Sequence, residues 1–395
     1  MSDFRFSKHP TRHPPQVVII GASTAGLFAA YLLAKGGVPV LLFEQQEELD
    51  TPARTLIITQ RIKDVLGCVP SSAIVNQTPN LQLFSSGRST TIRLSQPDWI
   101  VERQKLIQML ARQARAAGAQ ILPGYRFLGL EPDHDGVVVH LQSSTGRQAH
   151  VPTRTLLGAD GVFSQVAKAN EQRGQKTAFV LQAAVALPSG AKSDTTQVWF
   201  DPHSTRYFYW LIPESRQRAV VGLAADDERQ ARESLQRFLS CHKLEPLGYQ
   251  GAQVALYSRN GLPWKRISGA RIFLVGDAAA QVKMTTVGGV VAGLRGARAV
   301  AQAILRGSDY GRELSALRRK LELHWLMRRV LNGFGPSDYD ELLGLVNARA
   351  HSVLSTRTRD DISRALLLSL LVQPRFLLLA ARRFPWRDGH GLDGL

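Results

Sequence analysis

An α/β fold with a parallel sheet is predicted by three segments in which an apolar strand runs directly into a glycine-containing turn: 17–26, 155–164 and 272–280. In the first, Val17-Val18-Ile19-Ile20 leads through Gly21-Ala22-Ser23-Thr24-Ala25-Gly26 into an apolar helix, and Val40-Leu41-Leu42-Phe43-Glu44 follows as a second strand ending in an acid. This is the order of a Rossmann-like dinucleotide-binding unit. Gly21 allows a tight turn, Gly26 lets helix and strand approach, and the first helical N–H groups meet a pyrophosphate. Glu44 follows Gly21 by about 20 residues, where a carboxylate reaches ribose hydroxyls. Ser23 stands where such turns carry their middle glycine, and its hydroxyl is a candidate donor to phosphate.

The second segment, Thr155-Leu156-Leu157-Gly158-Ala159-Asp160-Gly161, pairs a strand with an acidic turn, and the third, Ile272-Phe273-Leu274-Val275-Gly276-Asp277, repeats the device before Gly288-Gly289 and a long small-residue helix. The triple set resembles the FAD-dependent oxidoreductases of the para-hydroxybenzoate hydroxylase fold over about residues 15–310. The resemblance implies that the first motif holds the ADP half of FAD, that Asp160 and Gly161 close over the cofactor, and that Asp277 binds the ribityl chain. It also implies that Arg103, at the start of a helix running toward Gly118, reaches the phosphates. A helix starting near Gly288 would aim its positive end at the flavin, where a reduced ring carries negative charge. The expected cofactor-binding set is Gly21, Ala22, Ser23, Thr24, Ala25, Gly26, Glu44, Gln45, Arg54, Arg103, Asp160, Gly161, Gly276, Asp277, Gly288 and Gly289.

The rest of the chain is placed more coarsely. Residues 1–15 read as a loose tail, in which His9 and His13 lie beside prolines that oppose a helical metal pair. The FAD-binding domain is expected at 16–175, with an excursion at about 50–100 into a substrate domain, and again at 266–310. Phe127–Leu141, with Asp135-Gly136 between apolar runs, reads as a hairpin. The substrate domain is expected at 176–265 as an α+β, mostly antiparallel sheet, and 311–395 as a helical region. Two cysteines in 395 residues provide no disulfide framework and no metal knot, which points to a reducing, cytoplasmic setting.

Tyr207-Phe208-Tyr209-Trp210-Leu211-Ile212-Pro213, followed by Gly222-Leu223-Ala224, resembles the aromatic-x-Trp-x-aromatic-Pro and Gly-x-Gly signature of geranylgeranyl reductases. Residues 276–289 are similar to that family's Gly-Asp-Ala-Ala-Gly-x-x-x-Pro-x-Thr-Gly-Gly-Gly stretch, with Ala280 and Val287 replacing glycines and Met284 the proline. The resemblance implies reduction of carbon–carbon double bonds in an isoprenoid or other apolar substrate. Phe208, Tyr209, Trp210 and Pro213 are the expected substrate-binding residues, supplying an apolar wall. No residue stands out as the proton donor: Tyr209 or water is a candidate, and the cysteine that archaeal members carry in the stretch matching Thr51–Thr55 is missing. The 208–213 pattern is also close to the Trp-x-Trp-x-Ile-Pro of flavin-dependent halogenases, so an oxygen-using monooxygenase or halogenase is the alternative. A degenerate flavoprotein serving as a scaffold is a third. With no second nucleotide motif, the electron donor could be NADPH, a ferredoxin or free reduced flavin.

The formal charge of +17 invites a nucleic-acid reading, but no binding module accompanies it. From Arg295 onward there are 17 basic and 10 acidic residues. The apolar runs 362–372 and 376–381 are split by Pro374 and Arg375, short of the roughly 20 residues that span a bilayer. They read either as interfacial helices flanked by Arg and Trp386, giving peripheral membrane contact, or as a helical cap on the substrate domain.

Overall fold

The structure is a computed structural model describing residues 17–49, 54–171, 175–259 and 263–345. The tail with His9 and His13, the Thr51 region and the C-terminal stretch proposed for membrane contact lie outside the described residues.

The strands are β1 (Val17–Ile20), β2 (Val40–Glu44), β3 (Thr55–Ile58), β4 (Ile74–Phe84), β5 (Ser89–Glu102), β6 (Gln120–Pro123), β7 (Tyr125–Asp133), β8 (Gly136–Ser143) and β9 (Gln148–Thr153). They continue as β10 (Thr155–Gly158), β11 (Thr177–Ala186), β12 (Thr195–Trp199), β13 (Tyr209–Pro213), β14 (Arg218–Ala225), β15 (Gly248–Ala255), β16 (Trp264–Ile267) and β17 (Ala270–Leu274). The α-helices are α1 (Thr24–Lys35), α2 (Ile62–Leu66), α3 (Arg103–Ala116), α4 (Gln165–Ala169), α5 (Glu228–Cys241), α6 (Val290–Arg306), α7 (Tyr310–Leu331) and α8 (Pro336–Leu345).

The chain divides into two compact units. The first comprises the residues up to Asn76, Trp99–Phe179 and Gly251–Glu322. Its six-stranded sheet has the order β16-β17-β10-β1-β2-β6, parallel throughout except for β16. Strands β1, β2 and β10 are buried along their length apart from the last residue of β2, which is why they read as continuous apolar runs rather than alternating ones. Helix α1 packs against α3 and α6. The β7-β8-β9 sheet supplies Val137, Val139, Leu141 and Val151 to a core shared with Val18, Ile20, Leu41 and Phe43. Burying each such side chain contributes about 1.5–3 kcal/mol.

The second unit comprises Gln77–Asp98, Val180–Gln250 and the residues from Leu323 onward. Here β11, β14, β13, β12, β4 and β5 are neighbours in that order. The β13 pairings with β12 and β14 are antiparallel, and β12 runs parallel to β4. Helix α5 packs on β14, and α8 contributes Tyr339, Leu342 and Leu343 to a small core with Phe334.

Candidate cofactor site

The register of the parallel sheet gathers the three turns. Ile20 lies opposite both Phe43 and Gly158, and Gly158 opposite Leu274, so the strands end together. Such carboxyl ends are where open α/β sheets bind ligands. Gly21 has φ +102°, and a Cβ there would lie 2.5 Å from the Ala159 carbonyl oxygen. A Cβ on Gly26 would collide with the Gly21 carbonyl oxygen. Ser23 caps α1: its Oγ accepts the Gly26 N–H at 3.2 Å, leaving its own O–H to donate. Thr24 and Ala25 open the helix, where N–H groups have no helical carbonyl to reach. Glu44 is fixed by the chain itself, Oε2 accepting from Ala22 N–H at 2.7 Å and Oε1 from Gln46 N–H at 3.1 Å. Its remaining lone pairs suit hydroxyl donors. Gln45, next along, is exposed and lines a polar cleft of about 380 Å³ with Arg126 and Gln142.

Asp160 is engaged locally. Its carboxylate accepts from Ser164 Oγ at 2.6 Å, Gln165 N–H at 2.7 Å and Val166 N–H at 3.2 Å, all at the start of α4. Burial pushes its pKa up, against the pull of those bonds. Asp160 thus shapes the turn containing Gly161, whose carbonyl accepts the Ser164 N–H at 3.2 Å.

The third corner is the most charged. Strand β3 pairs with the end of β5, Thr55 opposite Glu102, and one step further the Arg103 N–H donates to the Arg54 carbonyl at 2.9 Å. The pairing therefore fixes Arg54 and Arg103 side by side, and both guanidiniums interact with the Asp277 carboxylate. Burial lowers the pKa of both arginines, and Arg103 lowers that of Arg54 further. Burial raises that of Asp277, opposed by the two arginines. Two like charges sharing one carboxylate in a partly buried site leave capacity for a further anion, which fits a pyrophosphate-bearing cofactor. Gly289 is shaped to this acid: a Cβ there would lie 2.8 Å from Asp277 Oδ1.

Residues that the sequence reading passed over hold this corner. Gln281 accepts the Gly276 N–H at 2.8 Å and donates from Nε2 to the Tyr310 hydroxyl at 3.4 Å, and that hydroxyl donates to the Leu274 carbonyl at 3.0 Å. Both side chains are buried, and a Cβ on Gly296 would overlap Gln281 Oε1. Gly288 closes the loop before α6, its carbonyl accepting the Lys283 N–H at 3.1 Å. Ala280 and Val287, the two departures from the resembled glycines, both sit at φ +50°. The loop keeps a glycine-type backbone without glycine, and such conformations are held by their surroundings at a cost of order 1–3 kcal/mol each.

In the second unit, the aromatic strand divides by alternation. Tyr209 is buried toward α5, stacked on Phe238 with ring centroids 4.6 Å apart, and its hydroxyl donates to the Ser234 carbonyl at 3.3 Å. Tyr209, expected as a substrate contact or proton donor, thus turns toward α5, while the side chains one residue either side point to the opposite face. Phe208 and Trp210 lie edge to face at 5.8 Å, while Pro213 is buried at the strand end. Trp210 faces Gly222 across β13 and β14, where a Cβ would lie 2.8 Å from the indole. Gln182 and the Leu181 carbonyl crowd the same spot at 2.6 Å, so only glycine at 222 leaves room for Trp210, which links two motifs that looked separate in sequence.

The sequence pattern of the FAD binding domain family matches residues 15–306. The chain belongs to this family. FAD is accordingly its cofactor, and the arginine-rich corner gives the family assignment a physical counterpart. This FAD-binding protein is similar to digeranylgeranylglycerophospholipid reductase 1 of Methanothermobacter thermautotrophicus, at 26% identity over 77% of this chain and 81% of the relative. In fold it is similar to a geranylgeranyl bacteriochlorophyll reductase-like protein from Thermoplasma acidophilum, with TM-score 0.74 and 20% identity over 94% of this chain and 97% of the other. A flavin-dependent brominase matches at TM-score 0.64 and 18% identity, over 91% of this chain and 100% of the other. Among the described residues no helix is long and apolar enough to cross a membrane.

Proposed function

We propose that this protein is an FAD-dependent reductase of carbon–carbon double bonds in a prenyl chain. The observation that carries the reading is similarity to a digeranylgeranylglycerophospholipid reductase across most of both chains, together with the retained aromatic strand and its paired glycine. Bound FAD, once reduced, supplies hydride to one alkene carbon while the other gains a proton. The chain's own residues do the rest. Ser23, Thr24 and Ala25 present the α1 N-terminus to the diphosphate, Glu44 takes ribose hydroxyls, and Arg54 and Arg103 balance phosphate charge. Asp277, held by Gly289 and its arginine neighbours, orients the ribityl hydroxyls, and Asp160 and Gly161 keep the neighbouring turn in shape. Gly276 and Gly288 let the backbone run close to the cofactor. Phe208 and Trp210 offer the prenyl chain an apolar wall that excludes water.

The alternative, an oxygen-using monooxygenase or halogenase, rests on the 208–213 pattern and on the weaker fold match to a brominase. One experiment separates the two. The protein is reduced with dithionite without air, freed of reductant, and mixed with geranylgeranylated phospholipid; flavin absorbance should return as the alkene is consumed. Flavin that stays reduced until air is admitted, with the substrate then gaining oxygen or halide, would replace this reading with the alternative.

A further inference from the structure

We propose that His140 and His150, on the outward face of the β7-β8-β9 sheet, form a binding site for a late first-row divalent cation, with Glu131 orienting His140. The site is independent of the cofactor reading. Strand alternation creates it. Val139, Leu141 and Val151 point into the core, so His140 and His150 point outward, and the β8–β9 register sets them directly opposite each other. Their Nδ1 atoms are 2.7 Å apart, with the rings at 78°. Glu131 lies diagonally across β7, its Oε1 3.1 Å from His140 Nε2.

The roles of the nitrogens follow from these partners. A carboxylate on Nε2 selects the tautomer that carries its proton there, which turns the lone pair of His140 Nδ1 toward His150. Metal-binding histidines almost always have such a carboxylate or carbonyl behind them. Without an ion, His150 donates its Nδ1–H to His140. With an ion, that proton moves to His150 Nε2 through solvent, and both Nδ1 lone pairs become ligands with no net proton loss.

The spacing also indicates which ions fit. Nitrogens 2.7 Å apart that both lie about 2.0–2.1 Å from one ion subtend about 80°. Opening them by about 0.2 Å reaches the right angle of square or octahedral coordination, whereas a tetrahedral site needs about 0.6 Å. Ni²⁺ and Cu²⁺ are therefore favoured over Zn²⁺. Among the described residues no three or more His, Cys, Asp or Glu gather as a ligand set, so solvent completes the coordination. There is room for it. His150 is exposed, and Gly129, opposite His140 on the other side, has open space where a side chain would stand.

Isothermal titration of the full chain with Ni²⁺ tests the site. One ion should bind saturably, more tightly than Zn²⁺, and His140→Gln and His150→Gln should each abolish that binding while leaving the circular dichroism spectrum unchanged. Glu131→Gln should weaken it by about 10–100-fold, and His203→Gln should leave it alone. Should His140→Gln prove misfolded, His150→Gln decides alone, since its side chain is exposed. Equal Ni²⁺ affinity in wild type and His150→Gln would overturn the proposal and place any bound ion elsewhere, such as His9 and His13.

Discussion

The Arg103 N–H and the Arg54 carbonyl are joined at 2.9 Å across β3 and β5, and this pairing brings two partly buried guanidiniums within electrostatic reach of one carboxylate, Asp277. A guanidinium placed there can act as a charge-assisted donor to a phosphate. Arg103→Ala or Arg54→Ala should each weaken FAD binding by about 1.5–3 kcal/mol, or about 10–100-fold, measured as flavin affinity of the apoprotein. The double variant should lose less than the sum, because the two share Asp277 as a neighbour. Fully additive losses would show that they act separately.

Gly289→Ala is expected to act through Asp277. The added methyl would press on Oδ1 from 2.8 Å and on the Val282 side chain from 3.3 Å. Overpacking of this kind costs about 1–3 kcal/mol, and displacement of the acid should appear as loss of bound flavin in a protein that still unfolds cooperatively. Full retention of yellow colour on purification would contradict this.

Gln281→Leu removes the acceptor of the buried Gly276 N–H and a donor to Tyr310. An orphaned buried amide costs about 1–3 kcal/mol, read as a lower urea midpoint. Tyr310→Phe, which strands only the Leu274 carbonyl and one Gln281 N–H, should cost less. The reverse order of the two variants would mean that Tyr310, not Gln281, anchors the corner.

The two faces of the aromatic strand make opposite predictions. Trp210→Ala should raise the KM for a prenyl substrate by about tenfold or more, as expected when a large apolar contact is lost. Tyr209→Phe should lower stability by about 0.5–1.5 kcal/mol and leave turnover nearly unchanged, because its hydroxyl serves α5.

These contrasts show what was legible in the chain. The three strand-to-turn corners were, because buried parallel strands are continuous apolar runs and the turns after them need glycine. The pairing of Arg54 with Arg103 was half legible: both residues were singled out, but only strand register shows them adjacent. Alternation separated Tyr209 from Trp210 in principle, yet nothing local states which face α5 covers. Asp160 has the same composition as a cofactor-facing acid and is used to cap a short helix. Gln281 was not legible, since its partners Gly276 and Tyr310 become meaningful only once the loop folds back.

Asp340 gives a pH prediction. The Ser85 hydroxyl at 2.5 Å, then the Gly87 N–H at 2.9 Å, hold its carboxylate below the usual range, tying α8 to the turn between β4 and β5. A depressed folded pKa contributes stability above the unfolded value of about 3.9, lost as pH falls through the folded value. The urea midpoint should therefore fall more steeply with acid in wild type than in Asp340→Asn between about pH 5 and pH 2. Parallel profiles would show that the contact is too solvent-screened to matter.

The central claim is alkene reduction by the bound flavin, and product mass tests it most directly. A single turnover of the anaerobically reduced protein with a geranylgeranylated phospholipid should add two hydrogens per double bond consumed, both deuterium when the reaction is run in D₂O because the flavin N5 hydrogen exchanges with solvent. A lipid of unchanged mass alongside oxidised flavin, or one that gains oxygen only after air is admitted, would contradict the account.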